Sequence, residues 1–230
     1  MAGADITVII PAYNEGQHIK DTLASLSLES EICEIIVVDD ASVDGTLTEA
    51  KEAGARVVRL EKNVGKGRAV MAAFPFINSG LVMLLDADLK DSARFALALA
   101  QPVLGNSADL AVARFPRGHG GKGFGFVKKF SRLATRLLTG KNLVEPLSGQ
   151  RCMKKQVLRD LFPLADRYGL EVGMNIDALR KGYRIVAVEA PLYHSPPGRD
   201  WQGFLHRGAQ LWDICQVLIP RVQRKRVTGQ

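Results

Sequence analysis

The first half of the chain alternates short apolar runs with stretches in which apolar residues recur every three or four positions. The runs ITVII (6–10), EIIVVD (34–39), ARVVRL (55–60) and LVMLLD (81–86) are rich in β-branched residues and nearly continuous, as in parallel strands buried on both faces. Between them, Ile19, Leu23 and Leu26, and then Leu47, Ala50 and Ala53, keep helical spacing with one apolar face each. Strand, helix and strand repeated every 20–25 residues predicts a doubly wound α/β sheet, whose ligands sit at the carboxyl ends of the strands. The second half is less regular. It predicts a strand near 109–113, an amphipathic helix near 124–139, helices near 155–162 and 171–181, a strand at 184–188, and a last helix from Trp201 to Ile219 that stops at Pro220. No repeat, low-complexity stretch or long linker divides the chain, so a single domain is expected.

Composition narrows the class. Of 230 residues, 47% are hydrophobic and 24% charged, which excludes a disordered or collagen-like chain. No apolar run reaches the roughly 18–20 residues of a membrane span, and MAGADITVII lacks the basic and apolar segments of a secretion signal, so a cytoplasmic location is expected. Cys33, Cys152 and Cys215 are odd in number and far apart, with no zinc-ligand spacing, and are expected to be reduced thiols, mostly buried.

The net charge of +7 is unevenly spread. Residues 1–109 carry −7, whereas residues 110–144 hold eight Lys and Arg and no acid. Within that basic stretch, at ~100° per residue, Phe126, Phe130, Leu133, Ala134, Leu137 and Leu138 share one arc of the predicted helix. Lys128, Lys129, Arg132 and Arg136 share the opposite one. Such a helix either packs on the sheet or lies on an anionic lipid surface. Trp201, Phe204, Leu205, Leu211, Trp212 and Leu218, followed by Arg221, Arg224, Lys225 and Arg226, form a second segment of that kind. No aromatic platform interleaves with the cations, so nucleic acid is not the expected partner.

The predicted strand ends supply the chemistry. Asp86 and Asp88 flank Ala87 after LVMLL, and continued extension would aim both carboxylates to one side, where they can hold Mg²⁺ or Mn²⁺; alternatively one caps a turn. Asp39 and Asp40 form a second acidic pair, followed by Ser42, Asp44 and Gly45, which suit a turn and a helix cap. A carboxylate there can accept hydrogen bonds from a nucleobase or a ribose. In Pro11–Glu15, Asn14 with Gln17 also resembles a capping box. Gly65-Lys66-Gly67 brings a cation on a close-approaching backbone but fits neither the P-loop nor the dinucleotide fingerprint.

Taken in order and spacing, VIIPAYNE, IIVVDDASVDGT, KNVGKGRA and LLDADLKD resemble the GT-A fold of family 2 glycosyltransferases over residues 6–91. Ser148-Gly-Gln-Arg151, Tyr168-Gly-Leu-Glu171 and Gly182-Tyr-Arg-Ile-Val186 look like the dolichyl-phosphate mannosyltransferase and glucosyl-3-phosphoglycerate synthase branches. The resemblance implies one Rossmann-like, mostly parallel GT-A domain over 1–230, with a nucleotide-sugar-binding half (1–109), an acceptor-binding half (110–200) and a C-terminal helix and basic tail (201–230). It implies that Pro11, Ala12, Tyr13, Glu15, Asp39, Asp40, Lys66, Asp86, Ala87 and Arg199 bind the nucleotide-sugar. Asp88, with Asp86 and His194, would hold Mg²⁺ or Mn²⁺, Asp88 most directly. Glu171, then Asp177, is the candidate general base, needed for a hydroxyl acceptor but not for an ionised phosphate.

The implied reaction is sugar transfer from a nucleotide-sugar, UDP-linked ahead of GDP-linked, to a phosphate-bearing acceptor. Polyprenyl phosphate ranks ahead of phosphoglycerate, with peripheral contact at the inner face of the membrane. Stereochemistry and oligomeric state stay open, a homodimer included. The alternatives are a glucosyl-3-phosphoglycerate synthase-like enzyme and a non-catalytic nucleotide-binding protein. The loop PAYNEG argues against a nucleotidyltransferase. Pro75 departs from the family by cutting the helix after Gly67 short. The glycine-rich stretch His119–Gly125 departs at the entry to the amphipathic helix.

Overall fold

A computed structural model describes residues 5–115, 124–165, 169–193 and 212–222. Among these residues, seven strands form one sheet: β1 (Ile6–Ala12), β2 (Ile32–Asp39), β3 (Arg56–Arg59), β4 (Leu81–Leu84), β5 (Leu110–Arg114), β6 (Arg151–Lys154) and β7 (Ile185–Glu189). Their order is β3-β2-β1-β4-β6-β5-β7. β3, β2, β1 and β4 run parallel, β5 and β7 are parallel to each other, and β6 is antiparallel to both β4 and β5.

The apolar runs become strands because both faces of the sheet are covered. Ile6, Val8 and Ile10 of β1 face one core with α1 (Ile19–Leu26) and the 3₁₀ segment Lys90–Leu99. Ile9 faces the other with α3 (Lys66–Ala73), α6 (Lys155–Asp160) and α7 (Leu170–Arg180). The remaining helices are α2 (Thr46–Glu52), α4 (Ala100–Leu104), α5 (Phe124–Thr139) and α8 (212–222). As expected from Pro75, α3 ends at Ala73 and a single 3₁₀ turn, Phe74–Phe76, follows.

Three expectations are revised. β6 has no counterpart in the sequence reading, because a four-residue strand flanked by Arg151 and Lys154 shows no apolar run. Helix α8 continues through Pro220 to residue 222. Arg221, one residue beyond the proline, is anchored on Asp177 and donates through a guanidinium nitrogen to the Val217 carbonyl at 2.9 Å. Of the cysteines, only Cys152 is buried; Cys33 is exposed and Cys215 is intermediate. Burial pushes the Cys152 thiol up to about 12, so it stays protonated at neutral pH.

Helix α5 divides its apolar arc. Phe130, Ala134 and Leu138 pack with Val127 against α7 and α8, whereas Leu133 and Leu137 are exposed. The side chain of Phe126 lies outside the described residues. Two of the four cations are held internally: Lys128 pairs with Glu145 at 2.5 Å and Arg132 donates to the Val144 carbonyl. Lys129 and Arg136 face solvent.

Candidate active site

Because β3, β2, β1 and β4 are parallel, their carboxyl ends open on one edge of the sheet, and the strand order reverses between β1 and β4. That reversal is where open α/β sheets leave a ligand crevice. Antiparallel β6 brings its amino end to the same edge: Leu84 is opposite Arg151, so the residues leading into β6 meet those leaving β4.

At the end of β4 the chain does not stay extended. It turns at residues 87–88, and the buried Thr22 hydroxyl of α1 closes the turn, donating to the Ala87 carbonyl at 2.7 Å and accepting from the Lys90 amide at 2.8 Å. The expected strand alternation therefore does not set the directions of Asp86 and Asp88; a clamped turn does. Both residues are half-buried.

Asp86 is tightly engaged. Lys66 donates to Oδ1 at 2.6 Å and Gln150 to Oδ2 at 2.6 Å. The same ammonium reaches Glu171 Oε1 at 3.3 Å, at the first turn of α7. Burial alone pushes the Lys66 ammonium down, but Asp86 and Glu171 more than reverse it and hold it above the usual lysine range. Gly149 completes the contact: a Cβ there would lie 2.7 Å from Lys66 Nζ and 2.9 Å from Asp86 Oδ2.

Beneath this group lies Arg151, 1% exposed. It donates to the Ser148 carbonyl at 3.0 Å, Asn175 Oδ1 at 2.8 Å and the Glu171 carbonyl at 3.3 Å. Burial pulls its guanidinium down to about 10, with Glu171 and Asp86 holding it up, so it remains a cation at neutral pH. The two carboxylates thus share two buried or half-buried cations, Lys66 and Arg151.

The ends of β1 and β2 form the other wall. The amides of Asn14, Glu15 and Gly16 donate to the side chains of Ser42, Thr46 and Asp44, and Asn14 Oδ1 accepts from the Val43 amide at 3.0 Å. Asn14 therefore joins two loops and is not the cap of α1, whose N-cap is His18. Ala12 is buried, Pro11 and Glu15 are half-buried and Tyr13 is exposed beside them. Asp40 accepts the amides of Val64 and Gly65 at 2.8 Å each, which fixes the loop that delivers Lys66. Asp39 is wholly buried; its Oδ1 accepts from the Ser42 amide, while its Oδ2 has no hydrogen-bond partner among the described residues and is ion-paired with Arg59 Nε at 3.6 Å. A carboxylate oxygen without a hydrogen bond suits an N–H or O–H donor from a ligand.

Among the described residues, no three His, Cys, Asp or Glu side chains gather as a metal cage. Both oxygens of Asp86 already accept short hydrogen bonds, from Lys66 and Gln150. Such a site fits a hard divalent cation that takes most of its oxygens from a diphosphate and from water. His194 and Arg199 lie outside the described residues.

Asp177 sits six residues beyond Glu171 on α7, where Arg221 of α8 grips both its oxygens, one at 2.9 Å. Gly173 of the same helix lets Arg221 and Val217 approach closely. This geometry ties Asp177 to helix packing, in contrast to its expected place as second candidate base. Asp177→Ala is expected to cost about 1.5–3 kcal/mol, lowering Tm by roughly 3–12 °C, with nucleotide affinity within about twofold of wild type by calorimetry.

The chain belongs to glycosyltransferase family 2: residues 7–162 match the family described as Glycosyl transferase family 2. Its fold is the GT-A arrangement of those enzymes. It is 30% identical over 201 residues to glucosyl-3-phosphoglycerate synthase of Mycobacterium tuberculosis, covering 76% of this chain and 61% of that protein. Against glycosyltransferase AglJ of Haloferax volcanii, identity is 27% over 203 residues, 85% of this chain and 65% of the relative. The chain thus spans less than two thirds of the length of these curated relatives. A crystal structure of the M. tuberculosis synthase with Mn²⁺, UDP and glucosyl-3-phosphoglycerate superposes with a TM-score of 0.79 at 28% identity, covering 96% of this chain and 80% of that one. The same synthase with Mg²⁺ and UDP gives a TM-score of 0.81 over the same shares, also at 28% identity.

Proposed function

We propose that the protein is a glycosyltransferase that moves a sugar from a nucleotide-sugar, UDP-linked ahead of GDP-linked, to a phosphate-bearing acceptor, with Mg²⁺ or Mn²⁺. The observation that carries this reading is the pairing, along one sheet edge, of a buried Asp39 oxygen lacking a hydrogen-bond partner with the Asp86–Lys66–Glu171 group. The first can recognise a base or ribose donor group. The second can meet a diphosphate and its cation.

In this reading Pro11, Ala12, Tyr13, Glu15, Asp39 and Asp40 cradle the nucleoside, while Asp86, Ala87 and Lys66, with Arg199, face the diphosphate. Asp88 is the principal protein ligand of the metal, with Asp86 beside it and His194 as a further ligand. When bound, the metal stabilises the charge that develops on the departing nucleoside diphosphate. Lys66 supplies a second cation to the same oxygens. Glu171 accepts the proton when the acceptor is a hydroxyl; an ionised phosphate needs no base. The binding of UDP by solved family members supports the donor choice.

Both acceptor types have relatives. The M. tuberculosis synthase was crystallised with phosphoglyceric acid, and dolichol-phosphate mannosyltransferase of Pyrococcus furiosus is 28% identical over 201 residues, 81% of this chain and 55% of that protein. Exposed Leu133 and Leu137 beside Lys129 and Arg136 keep the polyprenyl-phosphate reading with peripheral membrane contact. No described helix is long and apolar enough to cross a membrane. Calorimetry with UDP and GDP, each in Mn²⁺ and in EDTA, tests the donor. Metal-dependent binding of UDP alone is the expected result, and binding of neither nucleotide by folded protein defeats the proposal. Transfer from UDP-sugars to 3-phosphoglycerate or to polyprenyl phosphate then separates the acceptors, and binding without transfer to either favours the non-catalytic alternative.

A further inference from the structure

Gln150, which the proposed mechanism does not use, makes one of the two 2.6 Å contacts that hold Asp86. Its side chain is wholly buried, and Nε2 donates to Asp86 Oδ2 at 2.6 Å. Its other end is fixed as well: the buried Ser148 hydroxyl donates to Oε1 at 3.1 Å. The Asp86 end decides the orientation of the amide, because reversal would set Oε1 against a carboxylate oxygen, whereas the Ser148 hydroxyl can accept as well as donate. A buried amide held in this way has one favoured state.

Register explains the placement. With Leu84 opposite Arg151 in the antiparallel β4–β6 pair, extending the ladder by one step sets Leu85 across from Gln150, and by another sets Asp86 across from Gly149. A side chain at 149 would collide with Asp86 and Lys66, and the glycine lets the loop pass over them. Arg151 then pins the far side of the loop through the Ser148 carbonyl.

We infer that Gln150, set by Ser148, is a positioning residue for Asp86. It fixes the carboxylate rotamer and turns Oδ1 toward Lys66, so that the carboxylate pair Asp86 and Asp88 is already arranged when the metal and nucleotide arrive. Groups that orient a carboxylate of a metal site commonly change metal affinity by about 10–100-fold when removed. The inference rests on the proposed function, since it assigns work to a site that binds a metal–nucleotide pair.

The test is the Mn²⁺ affinity of the UDP complex, read by electron paramagnetic resonance of free Mn²⁺, together with Tm, for wild type, Gln150→Ala, Gln150→Met, Ser148→Ala and Cys152→Ala. Gln150→Met keeps much of the volume but has no donor for Asp86. Cys152→Ala removes a buried side chain from the same strand without touching Asp86. The expected result is a loss of about 10–100-fold in Mn²⁺ affinity for both Gln150 variants, a smaller loss for Ser148→Ala, and wild-type affinity for Cys152→Ala despite a lowered Tm. Wild-type Mn²⁺ affinity in folded Gln150→Met would overturn the inference alone, as would an equal loss in Cys152→Ala, which would mark the effect as general loosening. Absence of Mn²⁺-dependent UDP binding in the wild type would overturn the proposed function and this inference with it.

Discussion

Asp88→Ala is expected to bind UDP equally in Mn²⁺ and in EDTA, losing the metal-dependent part of the affinity, and to transfer sugar about 10²–10³-fold more slowly than wild type, the size of effect seen when one group stabilising a developing anion is removed. The reasoning is local. Asp86 has both oxygens in short hydrogen bonds to Lys66 and Gln150, whereas Asp88 sits on the turn closed by Thr22. The backbone of that turn is held by the Thr22 hydroxyl, so alanine fits and Tm is expected to stay within a few degrees. Asp86→Ala behaves differently: it leaves the Lys66 ammonium with Glu171 alone and strands the Gln150 amide, so binding and Tm fall together. Calorimetry and thermal melts on the two variants separate the principal metal ligand from a carboxylate that also holds Lys66 and Gln150. Retained Mn²⁺ dependence in Asp88→Ala would move the metal to other ligands.

The contrast between these neighbouring aspartates bears on what a sequence discloses. β1, β4 and the carboxyl half of β2 are legible because strands covered on both faces need apolar residues at nearly every position, and that requirement is written locally, whereas β3 at the sheet edge is marked by half-buried Val57 and Val58 between exposed Arg56 and Arg59. The acidic residues at their ends are legible for the complementary reason: a carboxylate directly after a buried run must meet solvent, a cation or a ligand. Helix α5 is legible from Phe124 to Thr139 by its period, but not the division of its apolar arc, because which residues are covered depends on where α7 and α8 lie.

β6 and its lead-in are the part that stays hidden. Gln150 and Arg151 are residue types that usually face solvent, and nothing in their neighbours along the chain marks them as buried. Their burial is set by Asp86, Glu171 and Asn175, which lie 64, 20 and 24 positions away. Such long-range polar pairing leaves no periodic trace. Asp177 shows the same limit from the other side, since a carboxylate one and a half turns beyond Glu171 looks equally available until Arg221 of a distant helix takes it.

The buried guanidinium is where the largest loss of stability is expected. Arg151→Met should cost about 3–5 kcal/mol, the range for removing one member of a buried ionic network, and lower Tm by roughly 6–20 °C. The methionine fills much of the volume, so cavity formation is not the main term. The Ser148 carbonyl, Asn175 Oδ1 and the Glu171 carbonyl lose their buried donor, and Asp86 and Glu171 lose a counter-charge. Arg151→Lys should recover only part, because one ammonium on a flexible stem cannot match a planar fork aimed at three acceptors.

The pH dependence follows from the sign of the shift. Burial lowers the folded guanidinium to about 10, below the ordinary arginine range, so the folded state holds this proton less firmly than the unfolded chain does. That penalty is present in full below about 10 and fades only as pH rises from there toward the ordinary arginine range. Across pH 6–9 the loss in Arg151→Met should therefore be flat. A denaturant series at several pH values checks this, and a loss that varied strongly with pH would place the main effect on another titrating group. The double variant Arg151→Met/Asn175→Leu should be less destabilised than the sum of its parts, since the leucine removes one of the acceptors that the methionine strands. Strict additivity would mean that the Arg151–Asn175 hydrogen bond contributes nothing, and would leave the two carboxylates as the reason the cation is there.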